Sequence, residues 1–117
     1  MFADTEAVRL ERILDGAYEL VRRGWTQRAN ARNASDEPVS AHDPGARKFC
    51  MIGACHRARE LLQPGGEVSM AEVLLWRRFA DEHLCGQSMS RWNDQKERTQ
   101  AEVLLLLRQL REAARAL

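Results

Sequence analysis

Asp43-Pro44-Gly45-Ala46-Arg47-Lys48-Phe49-Cys50-Met51-Ile52-Gly53-Ala54-Cys55-His56-Arg57-Ala58 decides the fold, because it reads as a helix with a clean start and an apolar circumference. Aspartate is favoured as an N-cap and proline at the first helical position. The spacing predicts a helix over about 44–63, ending before Pro64-Gly65-Gly66. At about 100° per residue, Ala46, Cys50, Gly53, Ala54, Arg57 and Leu61 share one face. Gly53 and Ala54 leave that face nearly bare, so another helix or a loop can approach closely. Met51, Ile52, Cys55 and Leu62 cover much of the remaining perimeter, as expected of a buried central helix.

Arg57 lies on the bare face, with Gly53 at i−4, Ala54 at i−3 and Leu61 at i+4. A buried guanidinium without a partner costs several kcal/mol. Two outcomes are open. The stem packs while the head reaches solvent, or the head forms a two-pronged pair with a carboxylate. Asp94 is the first choice of partner, because it sits in a turn beside Trp92; Asp81 and Glu60 are its rivals.

Working outward, Leu10, Ile13, Leu14, Ala17, Tyr18 and Val21 recur at helical spacing and predict a first helix over about Thr5 to Arg23. Gly24 suits a left-handed helix stop, with Trp25 folding back as its apolar partner. From Thr26 to His42 the periodicity is lost. Asn33-Ala34-Ser35-Asp36-Glu37-Pro38 is rich in turn formers, and the segment reads as an irregular excursion or a short hairpin. Such a ribbon sets Arg28–Arg32 against Val39–Ala41, weakened by Pro38.

Ser69-Met70-Ala71-Glu72 has the spacing of a capping box and opens a third helix carried by Val73, Trp76, Phe79, Ala80 and Leu84, stopped at Gly86. A tight segment over Ser88–Arg98 holds Trp92-Asn93-Asp94. Thr99-Gln100-Ala101-Glu102 repeats the box and begins a last helix with Val103, Leu106, Leu107, Leu110, Ala113, Ala114 and Leu117 on its face. The expected architecture is therefore all-α: one small domain over 1–117, four main helices around the central one, and an excursion at about 26–42.

The chain has 117 residues, near the commonest domain size. Eighteen Lys and Arg against 17 Asp and Glu give a net charge of +1. No global field steers it to nucleic acid or an anionic membrane. Arg22-Arg23, Arg77-Arg78 and Arg108-Gln109-Leu110-Arg111 are interleaved with acids and read as solvated, salt-bridged surface. The longest aliphatic run, Val103–Leu107, is far shorter than the roughly 20 residues of a membrane span. With no leader-like stretch at the N-terminus and three cysteines in no C-x-x-C pair, the expected setting is a reducing cytoplasm.

Trp25-Thr26-Gln27, then Asp43-Pro44-x-Ala46-x-x-Phe49-Cys50-x-x-Gly53-Ala54-x-x-Arg57-Ala58, Trp92-Asn93-Asp94 and Arg98-Thr99-x-x-Glu102-Val103-Leu104 form an ordered set. In that set the chain resembles a family of small bacterial and phage proteins known only as a domain of unknown function. The likeness runs from about Val8 to Leu110. It implies that Cys50, Gly53, Arg57, Trp92, Asn93 and Asp94 belong to a shared pattern, and it supplies no activity, substrate or cofactor. The chain departs from the pattern in lacking a glycine in the Asn33–Pro38 turn.

No catalytic set emerges. Cys50 has only His42 nearby as a base, since His56 lies about 120° away around the helix. His83, Cys85, Cys50, Cys55 and His56 are too unevenly spaced to suggest zinc, so neither metal nor cofactor is expected. The best candidate ligand site is Arg57, Trp92, Asn93 and Asp94, with Trp25 and Gln27, forming a small polar pocket between two indoles. Leu74, Leu75, Leu104 and Leu105 lie off the main helical stripes, and such surplus apolar surface points to a protein partner or to self-association. A non-enzymatic helical interaction module is the leading expectation. A small-molecule or enzymatic site is the alternative, and nucleic-acid association a second.

Overall fold

Helix α1 (Asp4–Arg23) is the hub of the fold, and the computed structural model describes residues 4–116. Its stripe of Leu10, Ile13, Leu14, Ala17 and Val21 is buried to within 2% of full exclusion from solvent. Two helices pack along it: α2 (Met51–Leu62) and the last helix, α5 (Gln100–Arg115). The antiparallel α1–α5 pair is pinned at its edges by Arg111 on Asp15 (2.9 Å) and by Gln100 Nε2 donating to Val21 O (2.7 Å). Val103, Leu106, Leu107, Leu110 and Ala114 close the core from α5. Leu117, expected on the same face, lies outside the described residues. The centre therefore belongs to α1 and not to the segment after Pro44.

That segment is the main correction to the expected architecture. Asp43 caps no helix. Its Oδ1 accepts from Gly45 N at 2.7 Å and its carbonyl from Ala46 N at 3.0 Å, which closes a turn. Ala46–Phe49 then runs as strand β3, after β1 (Ala31–Asn33) and β2 (Pro38–Val39), in the antiparallel order β2-β1-β3. Pairing with β1 gives the backbone of 46–49 its hydrogen bonds, so a helix is no longer needed there. Ala46 and Phe49 face the core while Arg47 and Lys48 face out. Of the two readings open for 26–42, an irregular excursion or a short hairpin, the structure shows the hairpin, with its register at Ala31↔Val39 and Arg32↔Pro38. The protein is mostly helical, with a small sheet that the all-α reading missed.

Helix α2 starts at Cys50, whose sulfur accepts from Gly53 N at 3.3 Å as the N-cap. Gly53 meets a loop, as expected. A Cβ there would lie 1.9 Å from Asn30 O, so no other residue fits. Gly24 does not adopt a left-handed conformation; it is needed because a Cβ would lie 2.6 Å from Arg47 O. Phe49 N donates to Gly24 O and Thr26 N to Phe49 O, locking β3 against the end of α1.

Helix α3 (Met70–His83) has only half of its expected capping box. Ser69 Oγ accepts from Glu72 N at 3.1 Å, but the Glu72 carboxylate turns into the core. The Thr99–Glu102 box at α5 is complete. A one-turn helix, α4 (Met89–Asn93), occupies the tight segment. Leu75, expected as surplus, is fully buried, whereas Leu74 and Leu105 are 46% and 56% exposed. Among the described residues no helix is long and apolar enough to cross a membrane.

Candidate functional site

The structure divides the six candidate ligand residues. Five of them form a closed clasp. Asn93 is fully buried and its amide is saturated: Oδ1 accepts from Trp25 Nε1 (2.8 Å) and Met51 N (3.1 Å), while Nδ2 donates to Thr26 O (3.1 Å) and Asp94 Oδ1 (3.0 Å). Gln27 Nε2 donates to Asn93 O and to Gln95 O, both at 2.9 Å. Asp94 Oδ1 also accepts from Arg28 N at 2.9 Å, and Arg28 has a positive φ of 65°. The Arg98 guanidinium lies 3.6 Å from the Trp92 ring centroid, a cation–π contact, and its Nε donates to Trp92 O. One amide thus ties the 25–28 loop, the first turn of α2 and α4 together.

Arg57 is not part of the clasp, and of the two outcomes open to it the carboxylate pair does not form. Its Nη1 donates to Ala41 O and Asp43 O, both at 3.0 Å, while the side chain stays partly exposed. Two residues further on, Arg59 is 6% exposed and pairs with Glu72, which is 2% exposed. Glu72 Oε1 accepts from Arg59 Nη2 (2.6 Å), Arg59 Nε (2.9 Å) and Trp76 Nε1 (3.2 Å), and Oε2 accepts from Arg9 Nη1 (3.0 Å). Arg59 and Glu72 form the buried pair, and Arg9, 18% exposed, reaches the same carboxylate from the rim. α2 does carry a buried arginine neutralised from within, but it is Arg59 and not Arg57.

His56 extends the cluster towards solvent. Arg59 Nη1 lies 3.0 Å from His56 Nδ1, and a guanidinium can only donate, so the imidazole proton sits on Nε2. Burial, then the charges of Arg59 and His42, lower the His56 pKa, against a smaller opposing pull from Glu72. The ring is therefore neutral at pH 7 and presents an N–H.

Beside this cluster, α2 and α3 flank a groove of about 330 Å³. Ile52, Val73, Trp76, Ala80 and Met89 form its walls; His56, Arg59 and Arg77 also line it, but the surface facing into it is almost wholly apolar. Val73, Trp76, Arg77 and Ala80 are spaced i, i+3, i+4 and i+7, so one stripe of α3 supplies most of a wall. Val68 and Met70, 41% and 72% exposed, lie at the start of the same helix.

The two buried thiols, Cys50 and Cys55, are held in their protonated form. Burial pushes Cys55 up to about 12 and also raises Cys50, whose sulfur is occupied by the α2 cap. Neither is poised as a nucleophile. Among the described residues no cluster of three or more His, Cys, Asp and Glu could hold a metal ion.

Sequence reasoning missed Arg9, Arg59, Glu72 and Trp76. Glu72 had an adequate local role as a capping glutamate, which hid its core role. The signal for Arg59 was available: it continues the Met51–Cys55 stripe at i+8 and i+4.

No curated protein and no solved structure matches the chain. A family model matches residues 5–114, nearly the whole chain, and it carries no activity. That match agrees with the expected membership of a catalogued, uncharacterised family: the chain belongs to the family described as a family of unknown function, DUF6197.

Proposed function

We propose that this protein is a non-enzymatic interaction module whose α2–α3 groove receives an amphipathic segment of a partner protein, apolar on its buried side and acidic along its edge. The observation that carries the reading is the groove itself: about 330 Å³, walled almost wholly by apolar side chains, with Arg77 exposed at its margin. A helix laid in such a groove anchors through apolar side chains at helical spacing. Arg77, exposed at the margin of the groove, favours acidic over basic neighbours. In this reading the Asn93 clasp is scaffolding that holds α4, and with it Met89, against α2. The two buried, protonated thiols and the occupied Nδ1 of His56 argue against nucleophilic chemistry at this site.

Fluorescence anisotropy with two labelled amphipathic peptides tests this. Both are about 18 residues, five helical turns, and they differ only in an acidic or a basic polar face. The acidic peptide should bind and the basic one should not. Val68→Asp and Arg77→Glu, both at exposed positions, should each weaken binding about tenfold or more. Failure of both peptides, or equal binding of the two, overturns the reading. A dimer in sedimentation velocity that Val68→Asp dissociates would assign the groove to a second copy of the chain instead.

A further inference from the structure

We infer that a second cavity, on the Arg57 side of α2, is a binding site for a small organic anion of the phosphate-monoester class with an apolar or aromatic body. The cavity measures about 460 Å³ and is lined by Arg23, Arg47 and Arg57 over Leu20, Phe49 and Leu61, with Ala46 between them. Every charged residue on its lining is an arginine.

Two of the three guanidinium groups are oriented without being neutralised. Arg57 Nη1 is held by the carbonyls of Ala41 and Asp43, and Arg47 Nη1 by those of Ala46 (3.1 Å) and Pro44 (3.4 Å). A carbonyl fixes the direction of the head and leaves its full charge in place. The remaining N–H groups can meet phosphate oxygens two at a time. No carboxylate lines the cavity among the described residues; Asp43 accepts from Gly45 N, and Glu19 pairs with Arg22.

The backbone builds this arrangement deliberately. In the β1–β3 ladder Arg32 pairs with Lys48 and Asn33 with Ala46, so Arg47 is the extra residue of a bulge. Bulges re-aim side chains, and this one belongs to a residue lining the cavity. Gly24 is bare so that the backbone of Arg47 can press against the end of α1, next to Arg23. Helix α1, strand β3 and helix α2 thus each contribute one arginine from a fixed position. Leu61, 66% exposed on an otherwise charged rim, gains a role as the apolar wall for the ligand body.

The site is independent of the α2–α3 groove, and its test is separate. Isothermal titration calorimetry would compare phenyl phosphate, inorganic phosphate and anilinium. Phenyl phosphate should bind at least about tenfold more tightly than inorganic phosphate, and anilinium should not bind. Losing one charge-assisted contact should weaken phenyl phosphate about tenfold or more. Arg57→Gln reads that loss directly, and Arg47→Gln repeats it at an exposed position whose loss leaves the core intact. Absence of phenyl phosphate binding to the folded protein, or binding indifferent to Arg47→Gln, overturns the inference. So does a single-stranded oligonucleotide that binds more tightly than phenyl phosphate with steep salt dependence, which would make the surface a nucleic-acid contact.

Discussion

Replacing Glu72 by leucine should cost more stability than any surface charge change in this protein. Its carboxylate is 2% exposed and accepts hydrogen bonds from Arg59, Arg9 and Trp76. Leucine removes the acceptor and leaves the Arg59 guanidinium, 7% exposed, facing apolar surroundings. Breaking a buried pair by removing one partner costs about 3–5 kcal/mol. Set against the roughly 5–15 kcal/mol that holds a domain together, that is about a fifth of the total or more. At about 4 °C per kcal/mol for a domain of this size, the melting temperature should fall by roughly 12–20 °C. The same pair replaced whole, Arg59→Met with Glu72→Leu, removes both desolvation penalties and should recover most of the loss. Asp15→Asn, which breaks the partly exposed contact with Arg111, should cost under about 1 kcal/mol. Urea denaturation of the single and double variants, read by circular dichroism, gives the coupling energy directly. A Glu72→Leu loss below about 1 kcal/mol, or a double variant no better than the worse single one, would refute the claim that this cluster is buried and mutually dependent.

Three further outcomes follow from the same structure. Asn93→Ala strands the Trp25 indole N–H, Met51 N and Thr26 O; it should cost about 3 kcal/mol and shift tryptophan emission to the red, and an unchanged urea midpoint would contradict the clasp. Gly53→Ala forces a Cβ against the backbone of Asn30, an overpacking that should cost about 3 kcal/mol; retention of full stability would mean the loop lies elsewhere. His56 has a lowered pKa in the folded state, so below pH 6.5 the unfolded chain takes up the proton first and folding loses ground. Its contribution is complete above 6.5 and is lost as pH falls through the lowered folded value; His56→Gln should flatten that part of the pH–stability profile, and an identical slope in both proteins would show that another group carries it.

The helices were legible where apolar spacing and capping chemistry agreed. The α1 stripe of Leu10, Ile13, Leu14, Ala17 and Val21, and the α5 stripe opened by the Thr99–Glu102 box, are each written into a single face. Strand β3 was not, because four residues reading Ala-Arg-Lys-Phe carry no helical or strand period long enough to recognise. Asp43-Pro44 is as good an opening for a turn as for a helix, and only pairing with β1 decides between them.

That one misreading propagated. Extending the helix back to Pro44 placed Ala46 and Cys50 on the Arg57 face and made it look like the buried one. With 46–49 assigned to a strand, the apolar stripe becomes Met51, Ala54, Cys55 and Ala58, and the arginine that continues it is Arg59. The partner was hidden for a different reason. Glu72 satisfies a local rule with Ser69, and a residue with a sufficient local explanation gives no hint of a long-range one. The contact that holds α2 to α3 spans 13 residues and requires both helices to be in place before it exists. No window of sequence contains it. Arg57, by contrast, was correctly singled out as unusual; what the sequence could not supply was that its head would be steadied by two carbonyls and left charged, which is why it belongs to a candidate anion site and not to the core.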